Sequence, residues 1–224
     1  MFASFLGTSD VIGVGSGTDA LVIALRACEV EPDDTVITVS YTATATVAAI
    51  ELAEAIPVLA DIDPLTFTLC PESPETTIRE YSARPEAALH PLKAVIVVHL
   101  FGHPADLPAI VKICALYNLI LIEDCAQAHG ASYSGRMVGS WGKAGAFSFH
   151  PSQNLAGVGD GGAVATSVPA VAQMARQLRQ YGWKERYVSF IPGMNSRLDE
   201  IQAAVLHVRL PHLTQVPQLK RSFC

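Results

Sequence analysis

The strongest constraint on the fold is a series of short, continuously apolar stretches separated by longer segments with helical spacing. "DVIGVG" leads into "TDALVIALRACEV" and "DTVITVS" into "TATVAAIELAEA"; "KAVIVVHL" precedes "LPAIVKICALYN", which precedes "LILIED". Stretches rich in Val, Ile and Leu without polar alternation suit parallel strands covered on both faces. Strands alternating with helices over residues 10–167 predict an α/β fold of three α/β/α layers around a mainly parallel sheet. "IPVLADI" and "GGAVATS" read as further strands. "VPAVAQMARQLRQYG" and the amphipathic "SRLDEIQAAVLHVRL" read as further helices. The Pro-rich "CPESPETTIREYSARPEAALHP" reads as a surface excursion with one short helix, not as a linker between domains.

Composition narrows the function. Only 16% of the 224 residues are charged and 50% are apolar, against roughly 25% charged in average soluble proteins. Much of this surface is therefore expected to be buried, in a core or against another chain. The net charge of −6 argues against a nucleic-acid binder, which needs a basic face. No apolar run approaches the roughly 18 residues of a membrane helix, and "MFASFLGTSD" has no basic start and no signal-peptide pattern. The cysteines (Cys28, Cys70, Cys114, Cys125, Cys224) are scattered and lack a CxxC. That pattern fits reduced thiols and a cytoplasmic location.

Three motifs sit where strands give way to loops. In "GVGSGTDALVIAL", residues 13–25, a strand runs into Gly, Ser and Thr and then into a helix. Free N–H groups with the helix dipole behind them make an anion site, with phosphate the expected guest. The structural alternative is a capped helix with Ser16 or Thr18 as the cap. Gly13, Gly15 and Gly17 lack the GxGxxG spacing of a dinucleotide fingerprint, and no P-loop Gly-Lys-Ser/Thr follows. In "LILIEDCAQAHGA", residues 119–131, an apolar strand ends in Glu123 and Asp124, with Gln127 and His129 on the same loop. Ligands of open α/β sheets bind beyond the carboxyl ends of strands, and a carboxylate there can pair with a protonated ring nitrogen. The alternative has one acid capping the next segment and the other solvated. In "GAFSFHPSQNLAGVGDGG", Ser148 offers a hydroxyl, and the glycines let backbone approach a ligand closely, unless they only form a turn. His99 and His103 are four apart with Asp106 nearby, but Gly102 and Pro104 break any helix that would align them. They read as unrelated loop histidines, and no metal is expected.

In order, "GSGTDAL", "ITVSYTATAT", "VHLFGHPADL", "IEDCAQAHGA", "GAFSFHPSQNLAGVGDGGAVAT", "LRQYGW" and "GMNSRLDEIQAAVL" resemble the pyridoxal-phosphate-dependent sugar aminotransferases of the DegT/DnrJ/EryC1/StrS family. The resemblance runs from about residue 1 to about residue 213. It implies the aspartate aminotransferase fold, a pyridoxal or pyridoxamine phosphate cofactor, and transfer of an amino group, usually from glutamate, to a nucleotide-linked keto sugar. It also implies a homodimer with its active sites at the subunit boundary. Carried over by position, the backbone of Gly17, Thr18 and Asp19 and the Thr18 side chain would hold the cofactor phosphate, and Ser148 would add a hydroxyl. Asp124 would pair with the pyridine nitrogen, and Gln127 with the ring's phenolic oxygen. Asn195 would reach the phosphate of the partner subunit's cofactor.

Residues 1–213 are thus expected to form the cofactor-binding large domain, incomplete at its N-terminus, with 214–224 a tail and the C-terminal small domain absent. Many members of the family carry an aromatic residue, stacked on the ring, at the position of Ala43; here the nearby aromatic is Tyr41. The sharpest departure is in "SFHPSQNL", where the pattern reads Ser-Phe-Tyr/His-Pro-Thr-Lys-Asn-Leu: Gln153 replaces the lysine that forms the Schiff base and moves protons. A glutamine amide nitrogen is neither nucleophilic nor basic, so the site is not competent for that bond. Some relatives carry His there and become pyridoxamine-dependent dehydratases; Gln has no titratable nitrogen for that role. His150 stands three residues away as a possible base. Three functional readings follow. The first is an impaired sugar-aminotransferase-type protein. The second is a non-catalytic subunit or interaction protein that keeps the fold. The third, more distant, is a nicotinamide-binding Rossmann domain.

Overall fold

Seven strands form one sheet in the computed structural model, which describes residues 1–215. In chain order the strands are β1 (Asp10–Val14), β2 (Thr35–Val39), β3 (Ile56–Ala60), β4 (Leu92–Val98), β5 (Ile120–Asp124), a small hairpin of β6 (Ser132–Tyr133) and β7 (Arg136–Met137), then β8 (Ala144–Ser148) and β9 (Gly162–Thr166). A second hairpin, β10 (Trp183–Glu185) with β11 (Val188–Ser189), follows. The sheet order is β1-β9-β8-β5-β4-β2-β3. Strands β3, β2, β4, β5 and β8 pair in parallel. β9 is antiparallel to both its neighbours, which leaves β1 parallel to the rest. The expected mainly parallel α/β sheet is therefore present.

Every residue of β2, β8 and β9 is buried, so the sheet is covered on both faces. The helices are α1 (Phe2–Leu6), α2 (Gly17–Ala27), α3 (Thr44–Leu52), α4 (Glu72–Ser82), α5 (Leu107–Leu116), α6 (Pro169–Leu178) and α7 (Glu200–Arg209). α2 packs on α3, α6, β8 and β9, while α4 touches α5. Residues Ala20 through Leu25 of α2 are all buried. A helix apolar all round is one enclosed on all sides, which explains why "ALVIAL" lacks a polar stripe.

The Pro-rich excursion differs from expectation. It holds the eleven-residue α4, and this helix is part of the core cover rather than a surface detour. α4 buries Ile78 and Tyr81, and the Tyr81 hydroxyl donates to the His90 carbonyl (2.8 Å) beside Thr35 of β2. α7 forms as expected but buries only Leu206, and its Ile201 and Val208 are 71% and 69% exposed. A 3-10 turn, Leu210–Gln215, follows it; residues 216–224, most of the expected tail, lie outside the described residues. Among the described residues no helix is long and apolar enough to cross a membrane. Cys28, Cys70, Cys114 and Cys125 are free thiols.

Candidate functional site

The parallel strands deliver their carboxyl ends to one side of the sheet, where ligands of such folds bind. A cleft of about 230 Å³ opens there. Its wall is built from the segments that follow β1 (Ser16–Thr18), β2 (Thr42, Ala43), β4 (His99, Leu100), β5 (Ala126, Gln127) and β8 (His150, Gln153), with Asp124 and Ser148 closing their strands. Five separate loops thus converge.

The N-terminus of α2 forms one end. Ser16, not Thr18, is the cap: its Oγ accepts the Asp19 N–H at 3.0 Å. That leaves the Thr18 hydroxyl for the cleft, and the first-turn N–H groups of Gly17 and Thr18 have no intrahelical carbonyl behind them. Capping and anion binding are therefore compatible here. A Cβ on residue 17 would lie 2.6 Å from the Ser148 Cβ, so only glycine lets α2 come this close to the end of β8. Ser148 Oγ accepts the His150 N–H (3.3 Å), so its own proton is left to donate. Asp19 turns away from the cleft. Its carboxylate accepts from Ser196 Oγ (2.6 Å), which in turn accepts the Gly15 N–H (2.8 Å).

The two acids ending β5 have divided roles. Glu123 accepts from the N–H groups of Gly139 (2.7 Å), Trp141 (2.7 Å) and Gly142 (2.8 Å), and lies 3.1 Å from His99 Nε2. It anchors the loop that precedes β8. His99 Nδ1 accepts the Ala105 N–H (3.2 Å), so Nε2 is the nitrogen that donates to Glu123. His99, Glu123 and Cys125 lie close together, but the carboxylate is saturated and burial pushes the Cys125 thiol well up. That cluster therefore offers a metal little. His103 is exposed, and Asp106 caps α5 through the Ala109 N–H (3.3 Å).

Asp124 is buried at the floor of the cleft. Its oxygens accept from Thr46 Oγ1 (2.7 Å) and the Ala126 N–H (3.1 Å), and no ion pair to it occurs among the described residues. Burial raises its pKa above the ordinary carboxylate value, and these two hydrogen bonds oppose the shift. A buried carboxylate with donors but no cation is a receptor for one. Neither acid is solvated, contrary to the alternative sequence reading. Thr46, which holds Asp124, was not singled out from the sequence, where it is one of several threonines in "TATAT".

Gln127 accepts the Phe101 N–H through Oε1 (2.9 Å), which leaves its amide N–H groups free for the cleft. His129, two residues on, points into the core. It packs among Phe2, Phe147 and Phe149, and neither ring nitrogen has a hydrogen-bond partner among the described residues. Burial lowers its pKa to about 4, partly opposed by the nearby Ser148 backbone. Gln153 is half-buried in the cleft wall, its N–H donating to the His150 carbonyl (2.9 Å). The glycine cluster after it is clamped from α7. Gln202 Oε1 accepts the Val158 N–H (2.8 Å), and Arg209 donates to the Ala156 carbonyl (2.6 Å). Ala43 lines the cleft, whereas the Tyr41 ring pairs outside the lining with Phe67, 5.8 Å away.

Gly17, Thr18, Asp124, Gln127, Ser148 and Gln153 therefore share one cleft, while Asp19 and Asn195 lie outside its lining. Asn195 is exposed on a bridge to Gln180. A sequence model of the DegT/DnrJ/EryC1/StrS aminotransferase family matches residues 1–223.

The chain belongs to this family.

It is 44% identical over 212 residues to the UDP-N-acetyl-3-dehydro-alpha-D-glucosamine 3-aminotransferase of Acidithiobacillus ferrooxidans, covering 94% of this chain and 54% of that one. The crystal structure of S. venezuelae DesV in complex with a ketimine intermediate superposes with a TM-score of 0.88 at 42% identity, over 96% of this chain and 55% of that one. NtdA from Bacillus subtilis, solved with bound cofactor PMP, has a TM-score of 0.85 at 30% identity over 96% of this chain and 47% of its own. The chain spans about half the length of the curated relatives it matches. Membership in this family displaces the nicotinamide-binding reading.

Proposed function

We propose that residues 1–213 form the cofactor-binding large domain of an aminotransferase-type protein for nucleotide-linked keto sugars. We further propose that the cofactor is held without a covalent bond and that turnover is impaired by Gln153. The observation that carries this reading is Asp124, a buried carboxylate without a cationic partner in the same cleft as the free N–H groups of α2. The cleft fits a pyridoxal-type cofactor at three places. The Gly17 and Thr18 N–H groups, with the Thr18 and Ser148 hydroxyls, suit a phosphate. Asp124 suits a protonated ring nitrogen, and the free Gln127 N–H groups suit a ring oxygen. When bound, such a cofactor supplies an electron-accepting ring and the carbonyl or amine that carries nitrogen. Asp124 would keep the ring nitrogen protonated, and burial would strengthen that pairing. Ser196 would fix the phosphate end indirectly by holding Asp19 and Gly15.

At the remaining place, position 153, the chain supplies an amide where the family pattern has an amine. Losing a positioned acid–base group costs about 10²–10⁴ in rate. His150 does not replace it in this arrangement, since its Nδ1 accepts the Ser152 N–H (3.3 Å) and lies 2.9 Å from Ser152 Oγ. Asn195, exposed and outside the cleft, is proposed to serve a partner subunit's site in a cytoplasmic homodimer. The same Gln153 favours a second reading, a non-catalytic subunit or interaction protein retaining the fold.

Titration of the chain with pyridoxal and pyridoxamine 5′-phosphate separates the two readings. The first expects saturable, reversible binding of at least one form, weakened about ten- to hundredfold by Asp124→Asn, the size of a hydrogen bond to a charged group. Binding of neither form would leave the non-catalytic reading.

A further inference from the structure

We propose that this cleft selects the amine form of the cofactor, pyridoxamine 5′-phosphate, over the aldehyde form, and that Gln153 sets the preference. The inference rests on the cofactor reading above and goes beyond it by naming the form held. It begins with charge. Among the described residues no lysine or arginine lines the cleft, and its carboxylates are Asp124 and Asp160. Its two imidazoles, His99 and His150, each have Nδ1 accepting a backbone N–H, from Ala105 and Ser152. With Asp124 paired to the ring nitrogen of either form, Asp160 is the lining carboxylate left over, and its charge favours the form that bears an ammonium group.

The second observation is the Gln153 side chain itself. It is half-buried in the wall shared by this cleft and the adjoining groove over Phe101 and Ser152, and its amide makes no hydrogen bond among the described residues. A glutamine side chain ends one bond short of a lysine side chain. Because it is shorter, the Gln153 side chain can draw back toward the adjoining groove that it also lines, and its carbonyl oxygen could then accept from an amine on the cofactor where a lysine amine would have bonded to it. An ammonium donating to that oxygen makes a charge-assisted bond, about twice as strong as the neutral bond an aldehyde oxygen would accept from the amide N–H. The aldehyde, for its part, finds no amine in the lining with which to bond. Charge and hydrogen bonding therefore act in the same direction.

Equilibrium dialysis of the 224-residue chain against each form, read by the cofactor's own absorbance, tests this. Adducts of the aldehyde with surface lysines are counted by borohydride trapping and subtracted. The expected result is binding of pyridoxamine 5′-phosphate at least about tenfold tighter than pyridoxal 5′-phosphate, the scale of one charge-assisted hydrogen bond. Gln153→Met, similar in length but without the carbonyl acceptor, should lose most of that preference. Gln153→Lys should reverse it; if that variant does not fold, the parent ratio and the Met variant decide. Equal binding of the two forms, tighter binding of the aldehyde, or an unchanged ratio in Gln153→Met would overturn the selection while leaving the cofactor reading standing. Failure of both forms to bind would overturn both.

Discussion

Asp124 sets stability against binding. Its raised pKa means that the folded chain prefers the neutral acid. The stability it contributes is thus present below the ordinary carboxylate pKa and is lost as pH rises through the folded value. Above the ordinary carboxylate pKa the buried group is therefore a burden until a cation fills the cleft. Asp124→Asn should therefore raise the melting temperature of the cofactor-free chain at pH 7 while weakening cofactor binding. The Thr46 hydroxyl can turn toward Thr42 Oγ1, 2.8 Å away, to receive the new amide. A drop in melting temperature would contradict this. His129 has the opposite sign. Its pKa falls from 6.5 to about 4, so its contribution is present above pH 6.5 and is lost as pH falls toward 4. At 1.36 kcal/mol per pH unit that interval is worth about 3 kcal/mol at most. His129→Phe, placed among Phe2, Phe147 and Phe149, should flatten the acid side of the stability profile measured by denaturant titration across that range. Asp124 and Gln127 were legible in the sequence because they lie at or just beyond the end of an apolar strand, and Ser148 because its hydroxyl stands just ahead of a glycine cluster. The outward turn of Asp19 was not, since its partner Ser196 is 177 positions away. Nor was the inward turn of His129, because residues two apart on an irregular loop have no period to assign them a face.

At the scale of elements, the close contact of α2 with β8 is the feature that makes the anion site. Gly17→Ala would put a methyl group against the Ser148 Cβ, 2.6 Å away. Overpacking of that kind costs about 1–3 kcal/mol, and relief would move the α2 N-terminus away from Ser148. Phosphate-bearing ligands should bind at least several-fold more weakly to Gly17→Ala, measured by competition with pyridoxamine 5′-phosphate, whereas unchanged affinity would contradict the placement of the phosphate. Most strands and helices could be read from their apolar runs, β2, β4 and β5 most plainly. β8 could not, because "AGAFS" is too small and glycine-rich to show β propensity. Its Gly145 is small for a tertiary reason: a Cβ there would meet the Gly139 Cα at 2.6 Å, where the loop held by Glu123 crosses the strand. The helix α4 reads as short from the sequence for a related reason, since Pro71 and Pro74 suggest a break but sit at its start, where proline is tolerated.

On the scale of the whole molecule, the low charge content reappears as uncovered apolar surface. Ile201 and Val208 on α7, and Tyr187 and Phe190 at the β10–β11 hairpin, are each at least 60% exposed. Surface of this kind promotes association, so light scattering at micromolar concentration should show a species larger than the monomer. Ile201→Glu with Val208→Glu should shift it toward monomer; a parent chain already monomeric would contradict the homodimer proposal. The central claim is that the cleft, although Ala43 stands where a stacking aromatic is expected, still holds the cofactor and lacks only the amine that would bond to it. Incubation of Gln153→Lys with pyridoxal 5′-phosphate, borohydride reduction and peptide mass mapping test it most directly. The account predicts cofactor mass fixed at residue 153 in the variant and absent from the same peptide of the parent. A variant with parental circular dichroism but no cofactor at that position would contradict it.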